Sequence, residues 1–402
     1  MKYLNNIIFF LFLTFSIFNL YKIEIIYTLG KFGKIIIIFY IFIFLYWKFI
    51  IKRNNTFILN KYIYLFIVMI LMIVVGSVNY QLHNTDLESY FYSSIFIIYM
   101  IYFFCYISTI LYYYKEESFN IVIEKIKKII VFNMILGFFL SIVFKVPYLI
   151  ENKDSYAFGG FLESGLIFGW LALLGFFTTY LSIIKNKLRV FLLVIFILFI
   201  LFSEGRGSQL TLIIFYLMIA YFNINKIINN NSFIYFFKLI LILTILTILF
   251  IISTNIGFKD LNNLTTGRLF IWQLTIKEIF TNDILYFGYG FGTFSDLILN
   301  KYHNLSYYFK DLLDNNSTLS LHSSYLSILV AGGFISLLSF LSLIFYVIKN
   351  SSIIIKSLFI SLLSGAIVEQ FIISPNIPIS TFFWLIAILT ITNNKTVNLR
   401  NF

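Results

Sequence analysis

Three residues of this 402-residue chain have the types and settings that could move a proton or hold an anion. His322 stands in Leu321-His322-Ser323-Ser324-Tyr325-Leu326, immediately before a long apolar run. Imidazole takes up a proton near neutral pH, so it can serve as general base toward a sugar hydroxyl. It can equally be a polar cap at a helix start. Arg268 opens a segment after Thr265-Thr266-Gly267, where Thr265 or Thr266 can cap a helix running to about Phe280. Free backbone donors and the positive helix end at such a position favour an anion. Arg206 lies in the turn Ser203-Glu204-Gly205-Arg206-Gly207-Ser208, flanked by two glycines that let a ligand approach the backbone. It can instead be an interfacial anchor or pair with Glu204. Glu163 and Glu369, at the ends of other apolar runs, are alternative bases.

Other candidates are weaker. Phe287-Gly288-Tyr289-Gly290-Phe291-Gly292 is glycine-rich but lacks the Lys-Ser/Thr ending of a phosphate loop, so it is read as a compact turn. His83 and His303 lie in polar surroundings without spaced ligand partners and are read as solvated. The lone Cys105, among Tyr102, Phe103 and Phe104, has no disulfide partner and is read as packing. No spaced His, Cys and carboxylate set is present, so neither a metal nor a cofactor is expected.

The elements that position these residues follow from composition. The chain is 60% hydrophobic and 11% charged with a mean hydropathy of +0.94, against about 45–50% and about 25% in soluble domains. It reads as an all-α polytopic membrane bundle, because its apolar runs suit the roughly 20 residues of a spanning helix and not the alternation of a barrel. Candidate spans run near 7–20, 35–50, 62–79, 91–113, 129–146, 164–184, 189–203, 208–223, 233–254, 322–348, 356–373 and 377–393, about twelve. The first resembles a secretory signal without a cleavage site and is taken as an uncleaved span.

With the N-terminus in the cytoplasm, most of the 29 Lys and Arg fall on the cytoplasmic side and most of the 17 acids on the other. Both termini are then cytoplasmic, and residues 255–321 form a long extracytoplasmic loop between the ninth and tenth spans of a single membrane domain. The net charge of +12 is thus assigned to membrane orientation and not to nucleic acid. Within the loop, Leu269, Trp272, Ile276, Ile279 and Phe280 recur at helical spacing, with Arg268, Lys277 and Glu278 elsewhere on the wheel. This predicts a helix lying on the membrane surface.

In order along the chain, Ser203 to Gly207, Thr266-Gly267-Arg268-Leu269 with Trp272, Phe287 to Phe294, and His322 to Leu326 followed by Ala331-Gly332-Gly333 resemble the O-antigen ligase and O-antigen polymerase family. The motif resemblance covers roughly residues 190–350. A Gly-Asn-Pro-Asn-like turn common in that family is represented only by Gly159 to Ser164. The resemblance implies metal-independent glycosyl transfer, outside the cytoplasmic membrane, from a glycan on undecaprenyl pyrophosphate to an acceptor glycan or glycolipid. Arg206 and Arg268 would bind the pyrophosphate, His322 would activate the acceptor hydroxyl, and Gly267 and Tyr325 would join the substrate contacts. A chain-length regulator and a flippase are the implied protein partners. A repeat-unit polymerase is the favoured reading, a ligase to lipid A-core its neighbour. A flippase without chemistry is the alternative from another class.

Overall fold

The computed structural model describes residues 2–46, 63–83, 119–152, 155–182, 187–203, 205–227, 268–281, 284–290, 298, 301–302, 320–373 and 377–392. Helices dominate: α1 (Lys2–Phe18), α2 (Glu24–Tyr46), α3 (Ile63–His83), α4 (Phe119–Val143), α5 (Gly165–Tyr180), α6 (Lys187–Phe202), α7 (Arg206–Ile227), α8 (Arg268–Thr281), α9 (Ile284–Phe287), α10 (Ser324–Asn350), α11 (Ile353–Val368) and α12 (Pro378–Thr392). Each candidate span coincides with a helix except 91–113 and 233–254, which lie outside the described residues, as do Cys105, Glu204, Gly267, His303 and the Thr265–Thr266 cap. Among the described residues, Ile121–Val143 and Ser324–Asn350 are long and apolar enough to cross a membrane.

A hairpin departs from the all-α expectation: β1 (Leu149–Asn152) pairs antiparallel with β2 (Ser155–Phe158), Leu149 opposite Phe158. It follows Pro147, which cannot donate to a continuing helix. The same region is tied to the start of the chain. Lys22 donates through Nζ to the Pro147 carbonyl at 2.9 Å, and Tyr21 bridges to Leu162.

The core is aromatic. Phe138, Phe158, Phe161, Phe168 and Phe199 meet at ring-centre distances of 5.2–6.3 Å across α4, the hairpin, α5 and α6. Helix α3 runs along α10, α11 along α7, and α5 against α6. The outward faces keep large apolar side chains, among them Ile135, Ile142, Phe191, Phe202, Phe334 and Phe345. Water-soluble proteins rarely expose apolar surface on this scale, whereas lipid accepts it.

Helix α10 is broken at Gly332 (φ −133°, ψ 16°) and Gly333 (φ 68°, ψ −171°). A break in an apolar helix is tolerated where neighbours satisfy the freed backbone groups. Here the glycine-rich turn after α9 does so: Tyr289 N donates to the Val330 carbonyl at 2.7 Å and Gly290 N to the Ala331 carbonyl at 2.9 Å. Asn79 of α3 donates to the Gly288 carbonyl at 3.2 Å. As far as it is described, the Phe287–Gly290 part of the motif is thus a turn, docked by its backbone onto α10.

Candidate active site

Three helix ends and a turn meet around Glu369, the residue that follows α11. Its side chain is 7% exposed. Arg268, the first residue of α8, directs Nη2 to Glu369 Oε1 at 2.8 Å and Nη1 to the Val368 carbonyl. His322 Nδ1 stands 3.9 Å from Glu369 Oε2. One carboxylate therefore faces the guanidinium with one oxygen and the imidazole with the other.

The local sequence explains the arrangement. Trp272, one turn after Arg268, donates Nε1–H to the Leu321 carbonyl at 2.8 Å, so α8 holds both Glu369 and the residue before the histidine. His322 adopts φ 48°, a left-handed conformation uncommon outside glycine but less rare for His. This turn ends at Ser323, the N-cap of α10, whose hydroxyl accepts from Leu326 N at 3.5 Å. Ser324 fastens the opposite strand of chain: its hydroxyl donates to the Glu369 carbonyl at 2.8 Å and accepts from Phe371 N at 3.1 Å and Ile372 N at 3.2 Å. The two serines of His-Ser-Ser thus fix the histidine's side and the glutamate's side of the site.

The Ser203–Ser208 turn borders the same carboxylate. A Cβ on Gly207 would lie 2.7 Å from Glu369 Cγ and 3.2 Å from Trp170 Cζ2, so only glycine allows α7 this close. Ser203 Oγ donates to the Ile200 carbonyl, Gly205 N donates back to Ser203 Oγ, and Ser208 Oγ donates to the Gly205 carbonyl. Arg206 is the exposed first residue of α7, next to Gly207.

The other sequence candidates fall elsewhere. Tyr325 is partly buried; its hydroxyl donates to the Leu363 carbonyl at 3.0 Å and its ring packs on Phe340. Glu163 is exposed beside α5, its N–H donating to the Leu20 carbonyl at 3.0 Å, and desolvation raises its carboxyl above the usual range. Among the described residues, no three His, Cys, Asp or Glu side chains gather as metal ligands.

Helix α8 exists as expected, and its inward face differs from the apolar stripe assigned to the membrane surface. Ile271, Leu274, Thr275, Glu278 and Ile279 face inward, while Ile276 (46%) and Phe280 (70%) are exposed. Exposed Ile276 and Phe280 suit the lipid-facing side of a helix on the membrane surface, while Ile279 of the same stripe is buried. The inward face carries a residue outside the apolar stripe: Glu278, fully buried, pairs with Lys301 at 2.9 Å and accepts a hydrogen bond from the Tyr302 hydroxyl. Burial, and secondarily this bond, push the phenol of Tyr302 up to about 12, so it remains a donor. The i, i+4, i+7 stripe of Ile271, Thr275 and Glu278 is the signal that could have revealed it.

Chemically, the arrangement offers a cation for an anionic leaving group, an imidazole for a proton, and a carboxylate that orients both. Searches of curated proteins and of solved structures gave no match. The sequence profile of the family described as O-antigen ligase matches residues 191–341, which include Arg206, Arg268 and His322 and stop short of Glu369. Over those residues the chain is similar to the O-antigen ligase family, and the three motifs lie at one end of the helical core.

Proposed function

We propose that the chain is a polysaccharide repeat-unit polymerase in the cytoplasmic membrane, transferring a glycan from undecaprenyl pyrophosphate to a sugar hydroxyl on the outer side. The observation that carries this reading is the pairing of Arg268 and His322 with opposite oxygens of the buried Glu369. In the reaction the acceptor hydroxyl oxygen attacks the anomeric carbon and the bond from that carbon to the pyrophosphate oxygen breaks. The hydroxyl proton passes to His322, and the electron pair leaves with the pyrophosphate. Arg268 and Arg206 neutralise the growing charge, using the fork geometry in which guanidinium matches phosphate oxygens. Glu369 steadies the imidazolium and holds the guanidinium in place; further guanidinium donors are then directed to phosphate.

The chain would have about twelve spans, a number that suits the apolar runs, with both termini cytoplasmic and residues 255–321 outside. A separate flippase would deliver the donor, a chain-length regulator would act on the product, and catalysis would need no metal. The description of the matched family favours a second reading, ligation of the finished glycan to lipid A-core or another envelope acceptor.

Purified protein in nanodiscs, given a lipid-linked repeat unit, should yield a ladder of lipid-linked oligomers that a chelator does not diminish. His322→Ala should lower turnover on the order of 10²–10⁴-fold, the usual worth of a general base. Absence of any glycosidic product from the wild type, with single-unit and polymer donors and with lipid A-core as acceptor, would refute the enzymatic reading. Gene deletion separates the two activities: loss of a polymerase leaves single repeats on the final acceptor, loss of a ligase leaves polymer on the lipid.

A further inference from the structure

The glycines at the break of α10 and in the turn after α9 have a role that the proposed chemistry does not explain. Gly288 (φ 72°), Gly290 (φ 82°) and Gly333 (φ 68°) all have left-handed backbone conformations, which L side chains rarely adopt. Their backbones are also in contact. A Cβ on Gly288 would meet the Ala331 carbonyl at 2.6 Å, one on Gly333 the Tyr286 oxygen at 2.3 Å, and one on Gly290 Ser77 Oγ at 2.5 Å. Gly76 of α3 closes the cluster, its Cβ position lying 2.2 Å from the Ala331 oxygen and 2.9 Å from Gly290 N.

The break divides α10 into an outer segment, 324–331, and an inner segment, 334–350. The outer segment follows directly from His322. At its far end the Val330 and Ala331 carbonyls accept from Tyr289 and Gly290. At its near end Ser324 and Leu321 are tied to the 369–372 chain and to Trp272. Both ends are thus bonded to chain outside α10, the far end to the turn that follows α9 and the near end to the helix carrying Arg268.

We propose that Gly288, Gly290 and Gly333 form a joint that sets His322 against Arg268, independently of the inner half of α10, and are positioning residues for the transfer. This rests on the function proposed above. The Arg268–Glu369 pair itself includes no side chain of the outer segment, so a substitution at the joint shifts His322 more than that pair and impairs proton transfer more than donor binding.

The test uses full-length Gly333→Ala and Gly290→Ala proteins in nanodiscs, each followed by hydrogen–deuterium exchange and by steady-state kinetics with the lipid-linked donor. Backbone exchange reports local opening segment by segment. Exchange should quicken in 287–290 and 321–331 and stay at the wild-type rate in 336–350. A displacement of about 1 Å costs on the order of a hundredfold in rate, so kcat should fall by about that factor, with the donor KM essentially unchanged. Asn79→Ala, which removes the side-chain bond to the Gly288 carbonyl, should show the same split at smaller size even if the glycine variants do not fold.

Equal quickening in both halves of α10, or kcat and KM moving together, would make the glycines merely structural and overturn the joint. Unchanged kcat would overturn it as well. If the wild type transfers no glycan, the proposed function fails by itself, and the exchange pattern still decides whether the two halves of α10 are independent.

Discussion

A carboxylate as buried as Glu369 needs a counter-charge, and Arg268 provides it from a helix that precedes it by a hundred residues. Removing one partner of a buried pair leaves an uncompensated charge and costs about 3–5 kcal/mol. Arg268→Ala should therefore lower the thermal unfolding midpoint as well as activity, confusing a catalytic loss with a folding loss. The double variant Arg268→Ala/Glu369→Gln removes both charges and should regain most of the midpoint while staying inactive. A double variant as unstable as Arg268→Ala would show that the pair does not account for the destabilisation. His322 is the complementary case. It is 30% exposed and 3.9 Å from Glu369, so the imidazole remains open to an acceptor while one nitrogen faces the carboxylate.

Helix α8 has two working faces. Arg268 and Trp272 hold the site, whereas Glu278, Lys301 and Tyr302 anchor a later piece of the loop to the helix. Losing one hydrogen bond to a buried charged acceptor costs about 1.5–3 kcal/mol, and losing Glu278 removes the whole anchor. Tyr302→Phe should speed proteolytic cleavage within residues 282–302 in intact membranes, and Glu278→Ala should speed it further. Cleavage at the wild-type rate in both would mean that the buried cluster does not restrain the loop. The outward face of α8, with Ile276, Phe280 and Lys277, has the mixture of apolar and cationic side chains suited to a membrane interface.

The bundle as a whole sets the direction of the chemistry. Arg206, Arg268 and His322 each begin or precede a helix, and Glu369 ends one, so all four lie at one end of the packed helices. The proposed topology makes that end extracytoplasmic. With Cys105 replaced by Ser, Lys277→Cys should react with a membrane-impermeant maleimide in intact cells, and Lys349→Cys, at the far end of α10, should react only after lysis. The reverse pattern would invert the bundle and place the site where an exported lipid-linked donor is not found.

Composition and hydrophobic run length alone pointed to the helices that dominate the described residues, because a backbone surrounded by apolar side chains must pair with itself. Run length also located each described helix except α8 and α9 approximately, though α2 and α4 begin well before their apolar runs. Motif order brought Arg206, Arg268 and His322 together as candidates, since each motif has a recognisable local form. Proximity between distant segments has no local signature, and here the tertiary structure decided. It made Glu369, one of two alternative bases in the sequence, the centre of the arrangement, and placed Glu163 beside Leu20. It gave α8 an inward, protein-packed face of its own, because burial against protein and contact with lipid both select apolar residues and spacing alone cannot separate them. It also gave the glycine motif its partner, since the carbonyls it satisfies become free only when α10 breaks.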